Sequence, residues 1–370
     1  MITRAPSNLG RAAISQTRTE TDGGINCRAK SDRPRITGPP DRGRDEPLVV
    51  ETGRLGLDPM LEGDARAMND RLPYESFVIA PDAALPYSKG VMAKMLMVTG
   101  IPPTRAYSLA QQIERRLVGG RTTVATGDGL FDLAADVLRR HEGETAMLRL
   151  RRYKALHDLD LPVIVLIGGS TGAGKSAVAT EVAHRLGITR LTSTDFLRQA
   201  MRAFFAPEVV PSIHLSSFEA GDAVSAEFQV DRTVEGFVDQ ARHVLVGVRA
   251  LLERAVTERL SMVLEGVHLV PGLIPSIEGR ALVVSCLLTV DDELEHVYRF
   301  LTRQGITDNR GASRYLRSLD NIRSIERFLA QQAEEHGVTL IVNRKLETTI
   351  DQVIDLTLLG VEDVAAVAVA

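Results

Sequence analysis

An α/β fold, a parallel sheet with helices on both faces, is predicted by three features of the chain. An apolar run at 163–167 leads into Gly169-Ser170-Thr171-Gly172-Ala173-Gly174-Lys175-Ser176, and the residues after that loop repeat at helical spacing. Further strand-like runs at 190–193, 262–264, 281–289 and 339–342 alternate with stretches of helical period. Most of these runs lack polar alternation, as strands covered on both faces do. Strand, glycine loop and helix in that order make the sheet one of the P-loop NTPase type.

A small, mainly helical unit precedes it. Order is expected from about Tyr74, with a short strand at Phe77-Val78-Ile79 and a turn at Pro81-Asp82. An amphipathic helix carries Val91, Met92, Met95, Leu96 and Val98, and Gly100-Ile101-Pro102-Pro103 ends it. Helices follow at 106–117, 132–140 and 144–156. After the glycine loop, Val178, Ala179, Val182, Ala183 and Leu186 share one helix face that stops at Gly187. Later helices are expected from about Asp195, over 231–259, from about Asp291, over 314–336 and over 348–359.

The loop is shaped for a triphosphate. Its glycines allow a tight turn whose N–H groups, from Gly169 through Ser176, point at phosphate oxygens, and the next helix adds the positive end of its dipole. Lys175 is placed to reach the β- and γ-phosphates and Ser176 to ligate Mg²⁺, so ATP and Mg²⁺ are the expected cofactors.

In such sheets ligands sit beyond the carboxyl ends of the strands. Ser193-Thr194-Asp195 follows the second strand; Asp195 is a candidate to accept or orient a hydroxyl proton, although Thr194 or Asp195 would also serve as a helix N-cap. Arg198 and Arg202, at i and i+4, suit either an acidic substrate or surface ion pairs. Glu265 ends the third strand, where a ligand of Mg²⁺-bound water is expected. His268 just beyond is a candidate substrate contact, a lone histidine being as readily structural. Arg299, Arg303, Arg310, Arg314 and Arg317 flank a loop at 305–309 that reads as a flexible lid, with Arg310 and Arg314 the candidates to meet the transferred phosphoryl group.

The chain has 370 residues, 44% of them hydrophobic and 25% charged, which suits a globular protein of two domains with a tail. A formal charge of −4 with no strongly basic domain argues against bulk nucleic-acid binding. No apolar run reaches membrane-spanning length. Cys27 and Cys286 stand far apart with no metal spacing, which fits a reducing cytoplasm. Residues 1 to about 47 are rich in Arg, Ser, Thr, Gly and Pro; 1–73 reads as a disordered or mis-started extension, whose acid-poor opening also fits a transit peptide.

On the 169–176 loop, Ser193-Thr194-Asp195 with Arg198 and Arg202, Glu265-Gly266-Val267-His268 with Pro271-Gly272, and Arg314-Tyr315-Leu316 with Ile322-Arg323, the chain resembles the archaeal-type 2-phosphoglycerate kinase family over about 74–359. The resemblance implies an ATP-cone-like domain at 74–157 and a kinase domain at 158–370. It implies transfer of the γ-phosphoryl of ATP to the 3-hydroxyl of 2-phosphoglycerate, a small anionic acceptor, giving 2,3-bisphosphoglycerate. Arg198, Arg202, His268 and Asp195 would then face that acceptor. Another phosphorylated or hydroxy acid as acceptor, or a nucleotide sensor without transfer, are the alternative readings, and a homo-oligomer is compatible with each.

Overall fold

The computed structural model describes residues 77–80, 83–119, 124–224, 231–277, 279–303 and 309–369. The leading unit runs β1 (Phe77–Ala80), β2 (Ala83–Pro86), α1 (Lys89–Met97), α2 (Pro103–Gly119), β3 (Val124–Thr126), α3 (Gly127–Glu142) and α4 (Glu144–Asp158). The helices fall where periodicity places them, and they bury Leu96, Leu109, Ile113, Leu138 and Leu150 in one cluster. The strands form a sheet of order β2-β1-β3, in which β1 pairs antiparallel with β2 and parallel with β3. Only β1 is foreseen, from its aromatic and β-branched Phe77-Val78-Ile79; β2, Ala83-Ala84-Leu85-Pro86, has no such residues, and β3 is only three residues long. The predicted turn at Pro81-Asp82 and the predicted extension at 1–73 lie outside the described residues.

The second part runs β4 (Val163–Gly169), α5 (Lys175–Leu186), β5 (Arg190–Ser193), α6 (Thr194–Arg202), α7 (Arg232–Thr257), β6 (Met262–Glu265), β7 (Leu282–Thr289), α8 (Glu293–Arg303), α9 (Asn309–Arg317), α10 (Leu319–Glu335), β8 (Thr339–Val342) and α11 (Leu346–Val369). Its strands form one parallel sheet of order β5-β6-β4-β7-β8. Alternation along β4 divides the core. Val163, Val165 and Ile167 pack with α5 and α11, whereas Ile164 and Leu166 pack with α7. Each large side chain buried in this way stabilises the fold by about 1.5–3 kcal/mol.

Parallel register positions the site. Glu265 pairs with Ile167 on one side and Ser193 on the other, and Val342 pairs with Thr289. The chain leaving β4, β5, β6 and β8 therefore emerges along a single edge of the sheet.

Two expectations need correction. The helix predicted over 314–336 is two helices, α9 and α10, broken at Ser318, whose N–H bonds back to Arg314 and Tyr315. The break lets Tyr315 stack on Phe300 while α10 buries Ile322, Ile325 and Leu329. The closing helix also runs on to Val369, well past Leu359. The lid residues 304–308 lie outside the described residues, and no helix among the described ones is long and apolar enough to cross a membrane.

Candidate active site

The loop from Ser170 to Gly174 is shaped by contacts from elements far along the chain. His296 of α8 donates from Nε2 to the Thr171 carbonyl at 2.7 Å, and the Asn343 amide donates to the Ala173 carbonyl at 2.8 Å. The Thr349 hydroxyl in turn holds Asn343 Oδ1 at 2.9 Å. A trans peptide points its C=O and N–H in opposite directions. With those two carbonyls drawn into the protein, the N–H groups of Gly172 and Gly174 are left facing the cleft that both residues line. Gly172 and Gly174 have φ of 89° and 87°, and a Cβ at either would overlap the His296 and Phe300 rings or the Asn343 amide. Lys175 lies inside the curl, its ammonium 2.7 Å from the Ser170 carbonyl.

Ser176, in the first turn of α5, meets the end of β6, its hydroxyl donating to Glu265 Oε1 at 2.9 Å. Both residues line the cleft beside the loop. Two hard oxygen donors side by side, next to a phosphate cradle, fit Mg²⁺, which takes one or two protein ligands and completes its shell with water and phosphate. No three-residue His, Cys, Asp and Glu cluster able to hold a metal occurs among the described residues.

The acceptor side departs from expectation in detail. Ser193 is the N-cap of α6, accepting from the Phe196 N–H at 3.1 Å, so Thr194 and Asp195 are released from that task. Asp195 lines the cleft, and its Oδ1 receives both Nε and Nη2 of Arg198, at 2.9 and 2.7 Å. Arg198 is only 6% exposed, and its Nη1 donates to the carbonyls of Ile213 and Leu215, each at 2.8 Å. Arg202 points elsewhere: it is exposed, bonds Gln199 at 2.9 Å and does not line the cleft. The expected two-arginine clamp is therefore not formed, because Arg198 supplies the donors that the buried 213–215 carbonyls require.

His268 is likewise corrected. It is fully buried away from the cleft, with Nδ1 2.8 Å from the Thr194 hydroxyl and Nε2 2.9 Å from Gln240 Oε1. The Gln240 amide nitrogen donates to the carbonyls of Ser212 and Leu215. Its oxygen must then accept from His268, which leaves Nδ1 bare to accept from Thr194. Burial above all, with Arg198 nearby, pushes the His268 imidazole down to about 3. The folded pKa thus lies below the unfolded value of about 6.5, so between the two the unfolded chain binds the extra proton. Stability should fall as pH drops below about 6.5, by up to about 1.4 kcal/mol per pH unit from this group. Urea unfolding from pH 7 to 5 measures it, and His268→Asn should flatten that slope; an unchanged slope would contradict the neutral imidazole.

No protein-family model matches the chain. It is 36% identical over 313 residues to a 2-phosphoglycerate kinase of Methanopyrus kandleri, covering 84% of this chain and 91% of that protein. A 2-phosphoglycerate kinase of Methanothermobacter thermautotrophicus is 38% identical, with 73% and 89% covered, and one of Thermococcus kodakarensis is 33% identical, with 73% and 92% covered. The chain belongs to the 2-phosphoglycerate kinase family. Among solved structures, a shikimate kinase from Acinetobacter baumannii in complex with shikimate is similar at 16% identity and a TM-score of 0.32, covering 56% of this chain and 97% of that one.

In this member of the 2-phosphoglycerate kinase family, the cleft has a volume of about 640 Å³, and Arg299, Phe218 and Tyr315 are also among its lining. Arg299 of α8 lines it and reaches the Ala173 carbonyl at 3.4 Å, with Glu295 and the Asn343 carbonyl as further partners. Arg314 pairs instead with Glu219, Nε to Oε1 at 2.8 Å, and with the Ser216 hydroxyl at 2.9 Å, over the Phe218 ring. Arg310 belongs to α9, but its side chain lies outside the described residues. His296, Phe300 and Tyr315 stack in succession at 4.9 and 5.0 Å, and Tyr315 meets Phe218 edge-on at 5.7 Å. Asn343 and His296 carry no motif signal in the sequence, although Asn343 lies just past the end of β8, where ligand-contacting residues of such sheets gather.

Proposed function

We propose that the protein transfers the γ-phosphoryl group of ATP to the hydroxyl of 2-phosphoglycerate, producing ADP and 2,3-bisphosphoglycerate. The observation that carries this reading is the convergence, in one cleft, of the 170–176 cradle, the Ser176–Glu265 pair and the Asp195 carboxylate, in a chain of this family. The amides of Gly172 and Gly174 and the Lys175 ammonium would bind the phosphate tail and offset the charge that builds on it. Arg299, Asn343 and Arg344 would border its nucleoside end. A bound Mg²⁺, held by Ser176 and through water by Glu265, would neutralise charge on the β- and γ-oxygens.

Asp195, which lines the same cleft, would serve the acceptor. Both Arg198 bonds fall on Oδ1, so Oδ2 remains to meet the acceptor alcohol. As the alcohol oxygen bonds to phosphorus and the bond to the bridging oxygen of ADP breaks, the hydroxyl proton passes to Asp195. With Arg198 and His268 engaged inside the protein, recognition of the acceptor's anionic groups would fall to Ser216 and Ser217, which line the cleft, and to Arg314 if it leaves Glu219 for the acceptor. In the same reading residues 74–157 are an ATP-cone-like unit ahead of a kinase domain at 158–370, and the protein acts in the cytoplasm.

Incubation with Mg²⁺, ATP and 2-phosphoglycerate, followed by phosphorus NMR, tests the proposal. Acceptor-dependent ADP release with a bisphosphorylated product is expected. Turnover only with a different acid would replace the substrate, and tight ATP binding without acceptor-stimulated turnover would leave a nucleotide sensor.

A further inference from the structure

Between Asp195 and the Ser216–Phe218 wall runs a closed circuit of polar groups. Thr194 donates to His268, His268 to Gln240, and Gln240 to the Leu215 carbonyl. Arg198 donates to that same carbonyl and to Asp195, the residue bonded to Thr194 along the chain. Thr194, His268 and Gln240 have no exposed surface, and Arg198 has 6%. Three separate elements contribute: α6 holds Thr194, Asp195 and Arg198, α7 holds Gln240, and the chain just beyond β6 holds His268. The circuit touches the cleft only through Asp195 and Arg198, and through the segment that continues into Ser216, Ser217 and Phe218.

We propose that Gln240 and His268 are positioning residues for phosphoryl transfer, fixing the Asp195 carboxylate and the opposite acceptor wall relative to each other. The inference rests on the kinase reading above and concerns residues that contact neither nucleotide nor acceptor. A buried circuit in which every donor has an acceptor has one low-energy arrangement, because any rotation leaves a buried group unpaired. The Gln240 amide fixes the 212–215 carbonyls, those carbonyls fix the Arg198 fork, and the fork fixes the carboxylate. From the other end, His268 holds the first turn of α6 through Thr194. An error of about 1 Å between reacting groups costs about 10²-fold in rate, the scale on which such anchoring acts.

The experiment is a double-mutant cycle with 2-phosphoglycerate as acceptor. Gln240→Leu should lower kcat by about 10²-fold while ATP affinity stays within about twofold, because the phosphate cradle is held by other contacts. In an Asp195→Asn background, where the proposed base is already lost, the same change should cost less than about threefold further. A merely structural residue would cost the same in both backgrounds, and that result would overturn the proposal, as would a parallel loss of ATP binding. Should Gln240→Leu not fold, His268→Asn enters the same cycle; it keeps an acceptor for the Thr194 hydroxyl and drops the Gln240 bond. Wild-type protein silent toward 2-phosphoglycerate would defeat the kinase reading itself, whereas additive losses in an active enzyme defeat only the circuit.

Discussion

Lys175→Ala is expected to abolish measurable phosphoryl transfer. The ammonium lies within the loop, 2.7 Å from the Ser170 carbonyl, at the start of α5 where the helix dipole already favours negative charge. It is the only lysine lining the cleft among the described residues, so no neighbour of the same reach takes over its contact. Loss of one preorganised donor at developing transition-state charge costs about 10²–10³-fold, and a full positive charge aimed at a triphosphate lies at or beyond the upper end. The loop should keep its shape in the variant, because the Ser170 carbonyl retains the Ala173 N–H at 3.3 Å and the Asn343 and His296 bonds are untouched. Coupled ADP-release kinetics and ATP titration calorimetry measure the two effects separately. Turnover within tenfold of wild type, about 1.4 kcal/mol in the barrier, would remove Lys175 from the mechanism.

Asp195→Asn should collapse kcat while leaving ATP affinity nearly unchanged. The amide oxygen of Asn still accepts both Arg198 bonds, so the buried circuit and the fold survive; what is lost is the ability to take a proton. General base catalysis contributes about 10²–10⁴-fold, and the fall in kcat should lie in that range. In the proposed reading the carboxylate serves the acceptor, so loss of nucleotide binding in this variant would contradict that role. Single-turnover experiments with excess enzyme separate a slow chemical step from slow product release.

Several of these assignments are legible in the chain and several are not, for physical reasons. Gly169 to Ser176 announce themselves because phosphate binding imposes glycine, lysine and hydroxyl at fixed local spacing. Glu265 is reachable by the strand-end rule, since a carboxylate closing an apolar run is conspicuous. Arg198 and Arg202 mislead because i and i+4 spacing reports a shared face without saying how far that face turns inward. Arg198 is drawn in by carbonyls at 213 and 215, in a segment with no periodic signal of its own. His268 has the same difficulty: its partners, Thr194 and Gln240, lie 74 and 28 residues away. The break at Ser318 leaves the helical period on both sides intact, so only the packing of Tyr315 against Phe300 discloses it.

The tie between Asn343 and Ala173 spans 170 positions, from the residue just past the final strand to the middle of the nucleotide loop. During synthesis the glycine-rich turn leaves the ribosome long before the side chain that completes its curvature. A growing polypeptide can therefore assemble most of the sheet and still lack a finished grip on triphosphate. The last of the contacts that hold the loop is thus made by the residue just past the carboxyl-terminal strand.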